Sequence, residues 1–297
     1  METGKPSRTA IAAAVARAAH RELDAYPWVL DDPYAGLLIG HARGDQSLMP
    51  KSLFTEEMQR RTRGFVAGRL RYTEDRPQQG GFEQYVILGA GLDAFVWRRP
   101  DLAARITVFE VDYPASQAWK RERAREIGLT EGTRQVFVPI DFEVETLEAG
   151  LGRSGFDRSR RTLFSWVGVT MYLSIAAIEA TLRAIARCAP DSEVVLTYCP
   201  DRRDLDPLNR KQRELFITTL TAVGEDPSRE FAPHDMEMLV ARCGLVTAEH
   251  PRHDDLMAKY FAGRPDGLVP YQLEPLLAAR VGSGSRRSKP RLNFVAR

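Results

Sequence analysis

From Gln84 onward, short apolar runs alternate with longer stretches in which apolar residues recur at helical spacing. Runs of four to six residues rich in Val, Ile, Leu and Phe have no polar face, the pattern of strands buried on both sides of a parallel sheet. They predict strands over Gln84–Leu88, Ile106–Val111, Gln135–Pro139, Thr162–Val167 and Glu193–Tyr198, with Leu245–Glu249 and Arg291–Ala296 as the final pair. Between them the spacing predicts helices over Pro114–Ile127, Val144–Leu151 and Ile175–Cys188, the last capped by Ser174. Two more follow over Leu208–Ala222 and His234–Cys243, with Gly244 as a stop. Strand–helix alternation of this kind builds a doubly wound α/β domain around a mostly parallel, seven-stranded sheet.

Residues 1–80 read instead as helix. Ser7 and Thr9 can cap an alanine-rich helix through about Leu23, Asp31-Asp32-Pro33 opens a second, and a third runs from about Phe54 to Tyr72. The third carries five arginines (Arg60, Arg61, Arg63, Arg69, Arg71), and Gln78–Gly81 reads as a polar connector. The apolar stripes (Ile11, Val15, Leu23; Leu37, Leu38; Phe65, Val66, Leu70) are too few for an independent core. We therefore expect residues 1–80 to form a cap or lid on a binding domain spanning 81–297.

Of the 297 residues 43% are apolar and 28% charged, which excludes disorder and fibrous folds. No apolar run is long enough to span a bilayer, and Arg17 interrupts the most apolar N-terminal stretch, so a cytoplasmic protein with no membrane partner is expected. Cys188, Cys199 and Cys243 match neither a disulfide framework nor a zinc pattern. Residues 281–297 hold five basic side chains and no acidic one. Subtracting these from the formal +2 leaves −3 for residues 1–280. A mildly acidic body argues against a nucleic-acid partner.

The chemistry begins at Gly89-Ala90-Gly91-Leu92-Asp93-Ala94, directly after the first predicted strand. Glycines suit this turn because the backbone must reverse sharply and meet a ligand with no side chain between them. Glu110 and Asp112 follow about 20 residues on, at the end of the second strand, where a carboxylate would hold ribose hydroxyls. A nicotinamide dinucleotide and S-adenosylmethionine both present such a ribose. Asp93 favours the second, since a negative charge beside the helix start opposes a diphosphate and attracts a sulfonium or amino group. Asp141-Phe142 ends the third strand and offers an adenine ring a carboxylate acceptor and an aromatic neighbour.

These residues carry a resemblance. YVILGAGLDAFVWR, VFEVDYP followed by Lys120, PIDF and TLFSWVGVTMYL, preceded by SRTAIAAAVARA and LDDPYAGLL, resemble the class I methyltransferases of the leucine carboxyl methyltransferase type, in their bacterial branch. The likeness runs in order from about residue 7 to 190. It implies S-adenosyl-L-methionine as cofactor, with Gly89 and Gly91 bordering its methionine part, Asp112 on the ribose with Glu110 beside it, and Asp141 and Phe142 at adenine. It further implies that an arginine of the third helix binds the cofactor carboxylate, with Arg63 chosen and Arg69 the alternative. One position departs from the family pattern: Val167 stands where members commonly place a glutamate before the glycine of the segment ending MYL.

The implied activity is O-methylation of a small-molecule acceptor, a hydroxyl or a carboxylate, in a setting such as natural-product tailoring. The alternative, motivated by Val167, is a scaffold that binds the cofactor without methyl transfer, as a cyclase or binding module. Oligomeric state is left open, a homodimer included. A hydroxyl acceptor benefits from a base. Of the five histidines (His20, His41, His234, His250, His253), His234 is named as the weak candidate because late loops reach over acceptor pockets, with Tyr172 as a pocket-lining candidate. His250 and His253 flank Pro251 with no third metal ligand in view, so no metal is expected.

Overall fold

The computed structural model describes residues 7–40, 55–142, 144–222, 224–227 and 229–283. Strands β1 (Gln84–Leu88), β2 (Thr107–Asp112), β3 (Gln135–Pro139), β4 (Thr162–Trp166), β5 (Glu193–Thr197), β6 (Leu245–Glu249) and β7 (Leu276–Val281) form one sheet. Their spatial order is β3-β2-β1-β4-β5-β7-β6. All run parallel except β7, which enters antiparallel between β5 and β6. The order reverses between β1 and β4, and a crevice for ligands opens at such a point beyond the carboxyl ends of the strands.

The alternation of side chains fills two cores. Val86 and Leu88 of β1 join Phe109, Val111, Val138, Phe164 and Trp166 on one face. There they meet Leu147 and Leu151 of α7 (Leu147–Arg153), Ile178, Leu182 and Ile185 of α8 (Ile175–Ile185), and Met236, Leu239 and Val240 of α10 (Pro233–Arg242). Tyr85 and Ile87 point the other way, to Phe95, Val96, Leu102 and Tyr72. Tyr72 belongs to α3 (Glu56–Gln79), which continues seven residues past the predicted end. Its last turns are fastened to the sheet domain: Arg76 stacks on Tyr72, 4.0 Å from the ring, and pairs with Glu193 and Glu249. Further up α3, a Cβ on Gly64 would lie 2.9 Å from the Val269 carbonyl oxygen, so the helix and segment 261–270 are in close contact there.

One strand falls where none was expected, and the apolar stripes shift. The last strand among the described residues is Leu276–Val281, a stretch whose paired alanines Ala278 and Ala279 fit the crowded interior between β5 and β6. The segment Arg291–Ala296, read as that strand from sequence, lies outside the described residues, as does the basic tail. Leu23 and Leu37, assigned to inward stripes, are 67% and 51% exposed, whereas Leu38, Val66 and Leu70 are buried. Among the described residues no helix is long and apolar enough to cross a membrane.

The N-terminal helices are joined to the glycine turn by buried charge. α1 (Arg8–Leu23) is capped by Ser7, and Asp32 accepts the amides of Tyr34 and Ala35 to start α2 (Ala35–Ile39). The same Asp32 carboxylate takes Arg17 at 2.8 Å and Arg98 at 3.1 Å. Arg98, from the short helix α4 (Phe95–Arg98), also holds Glu74 and Asp93, and Arg17 donates to the Leu92 carbonyl at 2.6 Å. Three carboxylates thus share two guanidinium groups, one negative charge in excess. Burial pushes Asp32 up, but Arg98 and Arg17 outweigh it and hold it below its ordinary value. Glu74 takes the excess: burial raises its carboxyl and Arg98 only partly opposes this.

Removing one partner of a buried pair leaves uncompensated charge, so Arg98→Met is expected to cost about 3–5 kcal/mol in denaturant unfolding. Glu74→Gln removes the excess charge and is expected to leave stability at pH 7 unchanged or higher. The signs differ with pH. The depressed Asp32 contributes stability present above its ordinary value of 3.8 and lost as pH falls through its lower folded value. The raised Glu74 opposes folding at neutral pH, and that cost is relieved as pH falls through its folded value.

Candidate active site

The carboxyl ends of β1, β2 and β3 are drawn together by main-chain bonds. Gly89 and Ala90 donate to the Val111 carbonyl at 2.8 and 3.0 Å, and Ile140 donates to that of Asp112 at 2.9 Å. Gly89 sits at φ +68°, and a Cβ there would lie 2.5 Å from Val169 Cγ2 in the loop after β4. A Cβ on Gly91 would meet that of Ala10 on α1 at 3.0 Å, so both glycines leave no room for a side chain. The Asp112 carboxylate accepts the amides of Gly91 and Tyr113. Burial raises its pKa, and those two amide bonds offset this only in part. Asp141 follows on the next strand, its carbonyl turning the chain by accepting from Val144 and Glu145, and half-buried Phe142 packs on the sheet core. Gly89, Gly91, Asp112, Asp141 and Phe142 therefore share one edge.

Several other predicted residues are placed elsewhere. Glu110 is 1% exposed and turned into the helix layer, where it takes Lys120 of α6 (Pro114–Glu126) and the Gln135 amide at 2.8 Å. The segment VFEVDYP and Lys120 are thus joined by an internal ion pair, and both Glu110 oxygens are used within the fold. Arg63 is bound bidentately to Asp24 at 2.9 and 2.7 Å, with His20 on the same carboxylate at 2.8 Å. Its helix face turns toward α1, and its guanidinium holds the α1 end in place.

Arg69, six residues further, reaches the carboxyl edge. A Cβ on Gly168 would lie 3.0 Å from its guanidinium, it pairs with Glu274 at 2.8 Å, and its Nε is buried without a partner among the described residues. Asp93, expected to face a cationic ligand, is neutralised by Arg98 and accepts the Phe95 amide at 2.6 Å, so its charge carries no preference between cofactors. Tyr172 lies in a 3-10 turn and shares a hydrogen bond with Thr9, its phenol pushed up by burial, while Thr9 donates to Glu225 at 2.7 Å. His234 is exposed on the first turn of α10.

A cavity of about 550 Å³ opens beside this edge, at the ends of β5, β6 and β7. Phe65, Tyr198, Phe261 and Tyr271 give it apolar walls, and Arg69 and Glu274 stand on its border with Gly168. Inside it lies an arrangement the sequence reading missed. His250 Nδ1 is 2.6 Å from a Glu237 oxygen and Nε2 is 2.9 Å from the Tyr198 hydroxyl. The carboxylate holds the proton on Nδ1, which leaves Nε2 to accept from the tyrosine. Burial, with Glu237 and Asp204 nearby, pushes the Tyr198 phenol well above its ordinary value and keeps it a donor. The three residues come from the end of β5, from α10 and from the end of β6, and no sequence spacing links them. A second cavity, of about 420 Å³, lies among α3, α4 and the segment before α2, behind the Arg98 cluster and away from the strand ends.

A profile of the leucine carboxyl methyltransferase family matches residues 10–186. The chain belongs to that family. Among its relatives is a Bacillus subtilis protein named "Putative S-adenosyl-L-methionine-dependent methyltransferase YktD", 32% identical over 193 residues, covering 65% of this chain and 63% of that one. A like-named protein of Mycolicibacterium paratuberculosis is 29% identical over 282 residues, covering 86% of this chain and 51% of its own length. The chain thus spans about half to two thirds of these relatives. Human N-acetylserotonin methyltransferase, solved with its cofactor, superposes with a TM-score of 0.46 at 15% identity, covering 93% of this chain and 66% of that one.

S-adenosylmethionine is the cofactor of this methyltransferase family, and the edge fits it. The glycine turn packs tightly against Val169 and Ala10, carboxylates follow two successive strands, and the Arg69 Nε lacks a partner among the described residues. Asp112→Asn keeps one acceptor but loses the charge. It is expected to weaken S-adenosylhomocysteine binding by about 1.5–3 kcal/mol in calorimetric titration, the range for a hydrogen bond to a charged group. Unchanged affinity would remove Asp112 from the site.

Proposed function

We propose that this protein is an S-adenosylmethionine-dependent O-methyltransferase whose acceptor is a hydroxyl group on a small, largely apolar molecule. The observation that carries this reading is the Glu237–His250–Tyr198 chain in the wall of the 550 Å³ cavity. A carboxylate acceptor is already anionic and leaves such a chain idle, whereas a hydroxyl must lose its proton as it is alkylated. The cavity has the volume of a site for a drug-sized molecule, and tailoring of a secondary metabolite is the setting we infer for it.

The cofactor supplies an electrophilic methyl group on a sulfonium. Asp112 would hold its ribose and Asp141 with Phe142 its adenine, leaving the methionine part between the glycine turn and Gly168. The protein's work is then alignment and proton removal. Apolar walls exclude water and hold the acceptor hydroxyl toward the Gly168 border. Its proton passes to the Tyr198 oxygen as the Tyr198 proton passes to His250 Nε2, and the Glu237 carboxylate stabilises the imidazolium that results.

Methyl transfer from radiolabelled cofactor to a panel of small phenols, aliphatic alcohols and carboxylic acids tests this reading. Phenols are expected to be methylated. His250→Gln is expected to lower kcat roughly 10²- to 10⁴-fold, the usual span for a general base. Tyr198→Phe should act in the same direction while cofactor affinity stays constant. Methylation confined to the carboxylic acids and indifferent to His250→Gln would overturn it.

A further inference from the structure

Helix α3 carries Gly64 and Gly68 one turn apart in its interior, where glycine is unfavourable. Neither has the positive φ that calls for glycine, so each marks a place where a side chain would be in the way. At Gly64 the obstacle is the Val269 carbonyl oxygen, 2.9 Å from the Cβ position. At Gly68 it is Phe261, whose Cζ and Cε2 would lie 3.1 and 3.3 Å away. Gly68, unlike Gly64, is also part of the wall of the 550 Å³ cavity. Phe261 ends a π-helical turn over Met257–Phe261, a wide turn of the kind that is rare and concentrates at functional sites. It is 4% exposed and packs with Val29, Leu30, Leu70 and Leu268, so the side left for its ring to move into is the cavity. Phe65 and Tyr271 complete this wall, each with a guanidinium over its ring, Arg69 at 4.8 Å and Arg61 at 5.9 Å. Pro200, Pro233, Pro251, Pro270 and Pro275 also line the cavity, bringing no main-chain N–H and fixing the chain locally.

We propose that the bare backbone of α3 at Gly68 is a platform for a flat ring, and that the acceptor is a hydroxylated, planar, fused-ring aromatic molecule. The inference rests on the reading of this cavity as the acceptor site and names the class of molecule it takes. A planar ring system meets Phe65, Phe261 and Tyr271 through the offset and edge contacts that aromatic groups favour. Walls stiffened by proline suit a ligand that is itself rigid, since neither side loses much freedom on binding. They also supply few main-chain donors, which fits a molecule whose polarity is concentrated in the one hydroxyl presented to Tyr198. A saturated skeleton of the same carbon count is puckered, so it is too thick to lie on the helix and has no π face. Any side chain at position 68 would occupy the platform and press Phe261 toward the cavity, which makes Gly68 the position that sets acceptor size.

Equilibrium dialysis of the full chain saturated with S-adenosylhomocysteine tests this with three probes: phenol, 2-naphthol and decahydro-2-naphthol, the puckered analogue of the second. The parent is expected to bind 2-naphthol about tenfold more tightly than either of the others, the scale of one or two aromatic contacts. Gly68→Ala is expected to lower the ratio of 2-naphthol to phenol affinity about threefold, and Gly68→Leu about tenfold, as overpacking grows. Alanine favours the helix, so the first variant reads the platform even where leucine disturbs folding. Equal binding of 2-naphthol and its saturated analogue overturns the proposal, as does absence of 2-naphthol binding by the parent. A ratio unchanged by either substitution marks Gly68 as a packing residue alone and also overturns it. Methyl transfer is read separately on the same samples with S-adenosylmethionine in place of S-adenosylhomocysteine. Binding with the expected ratios but no methylation of 2-naphthol would overturn the proposed O-methyltransferase function and leave the aromatic platform standing.

Discussion

The cluster around Arg98 is the constraint from which the rest of this architecture follows. A guanidinium with no exposure to water must be surrounded by acceptors, and here those acceptors come from three places: Asp32 before α2, Glu74 on α3 and Asp93 in the glycine turn. The arginine sits four residues after the turn's last position, so the backbone of the turn cannot shift without disturbing the charges that hold the N-terminal helices. Buried ion pairs are weak contributors to stability compared with apolar packing, and their value is in what they make unique. In this chain the unique feature is the seat of α1 against Gly91, where two Cβ positions approach to 3.0 Å.

The site divides along the same line. Its cofactor half is made of strand ends and main-chain bonds, rigid because the sheet is rigid. The acceptor half proposed for it is made of side chains from segments that the sheet only anchors: His250 and Tyr271 in the connection between β6 and β7, Glu237 on α10, Phe65 on α3. Arg69 and Glu274 form the wall between them. A catalytic centre built this way keeps one fixed partner in register while the other is free to vary, as expected where function is grafted onto a widely used fold.

How much was legible in the sequence follows from which interactions are local. The strands β1, β2, β4 and β5 announce themselves because double-sided burial forces continuous apolar runs, whereas β7 hides because Ala278 and Ala279 have little intrinsic preference for a strand and are extended only by the neighbours they fit between. Gly89, Gly91, Asp112 and Asp141 were found together because each sits at a fixed offset from a strand end. Glu110 was misread for the same reason. Two residues apart on a strand, Glu110 and Asp112 should face alike, yet Asp112 lies where the strand finishes and its carboxylate turns back to the Gly91 amide. Six residues apart, Arg63 and Arg69 lie on different faces of α3, and only the packing of that helix shows which face meets Asp24 and which meets Gly168. The Glu237–His250–Tyr198 chain has no sequence signature at all, since its spacing is set by how α10 docks beside two strand ends.

The antiparallel entry of β7 has a further consequence. The connection from Glu249 to Leu276 leaves the sheet and rejoins it on the same edge, so it forms a closed loop of chain whose two feet are fixed by hydrogen-bonded strands. Closure entropy grows only slowly with loop length. Residues gained or lost beside His250 or Tyr271 in that span would alter the walls of the cavity at little entropic cost. Under the proposed function, a change of length in this loop would reshape the acceptor side while the turn at Gly89 and Gly91 and the strand end at Asp112 stay in place.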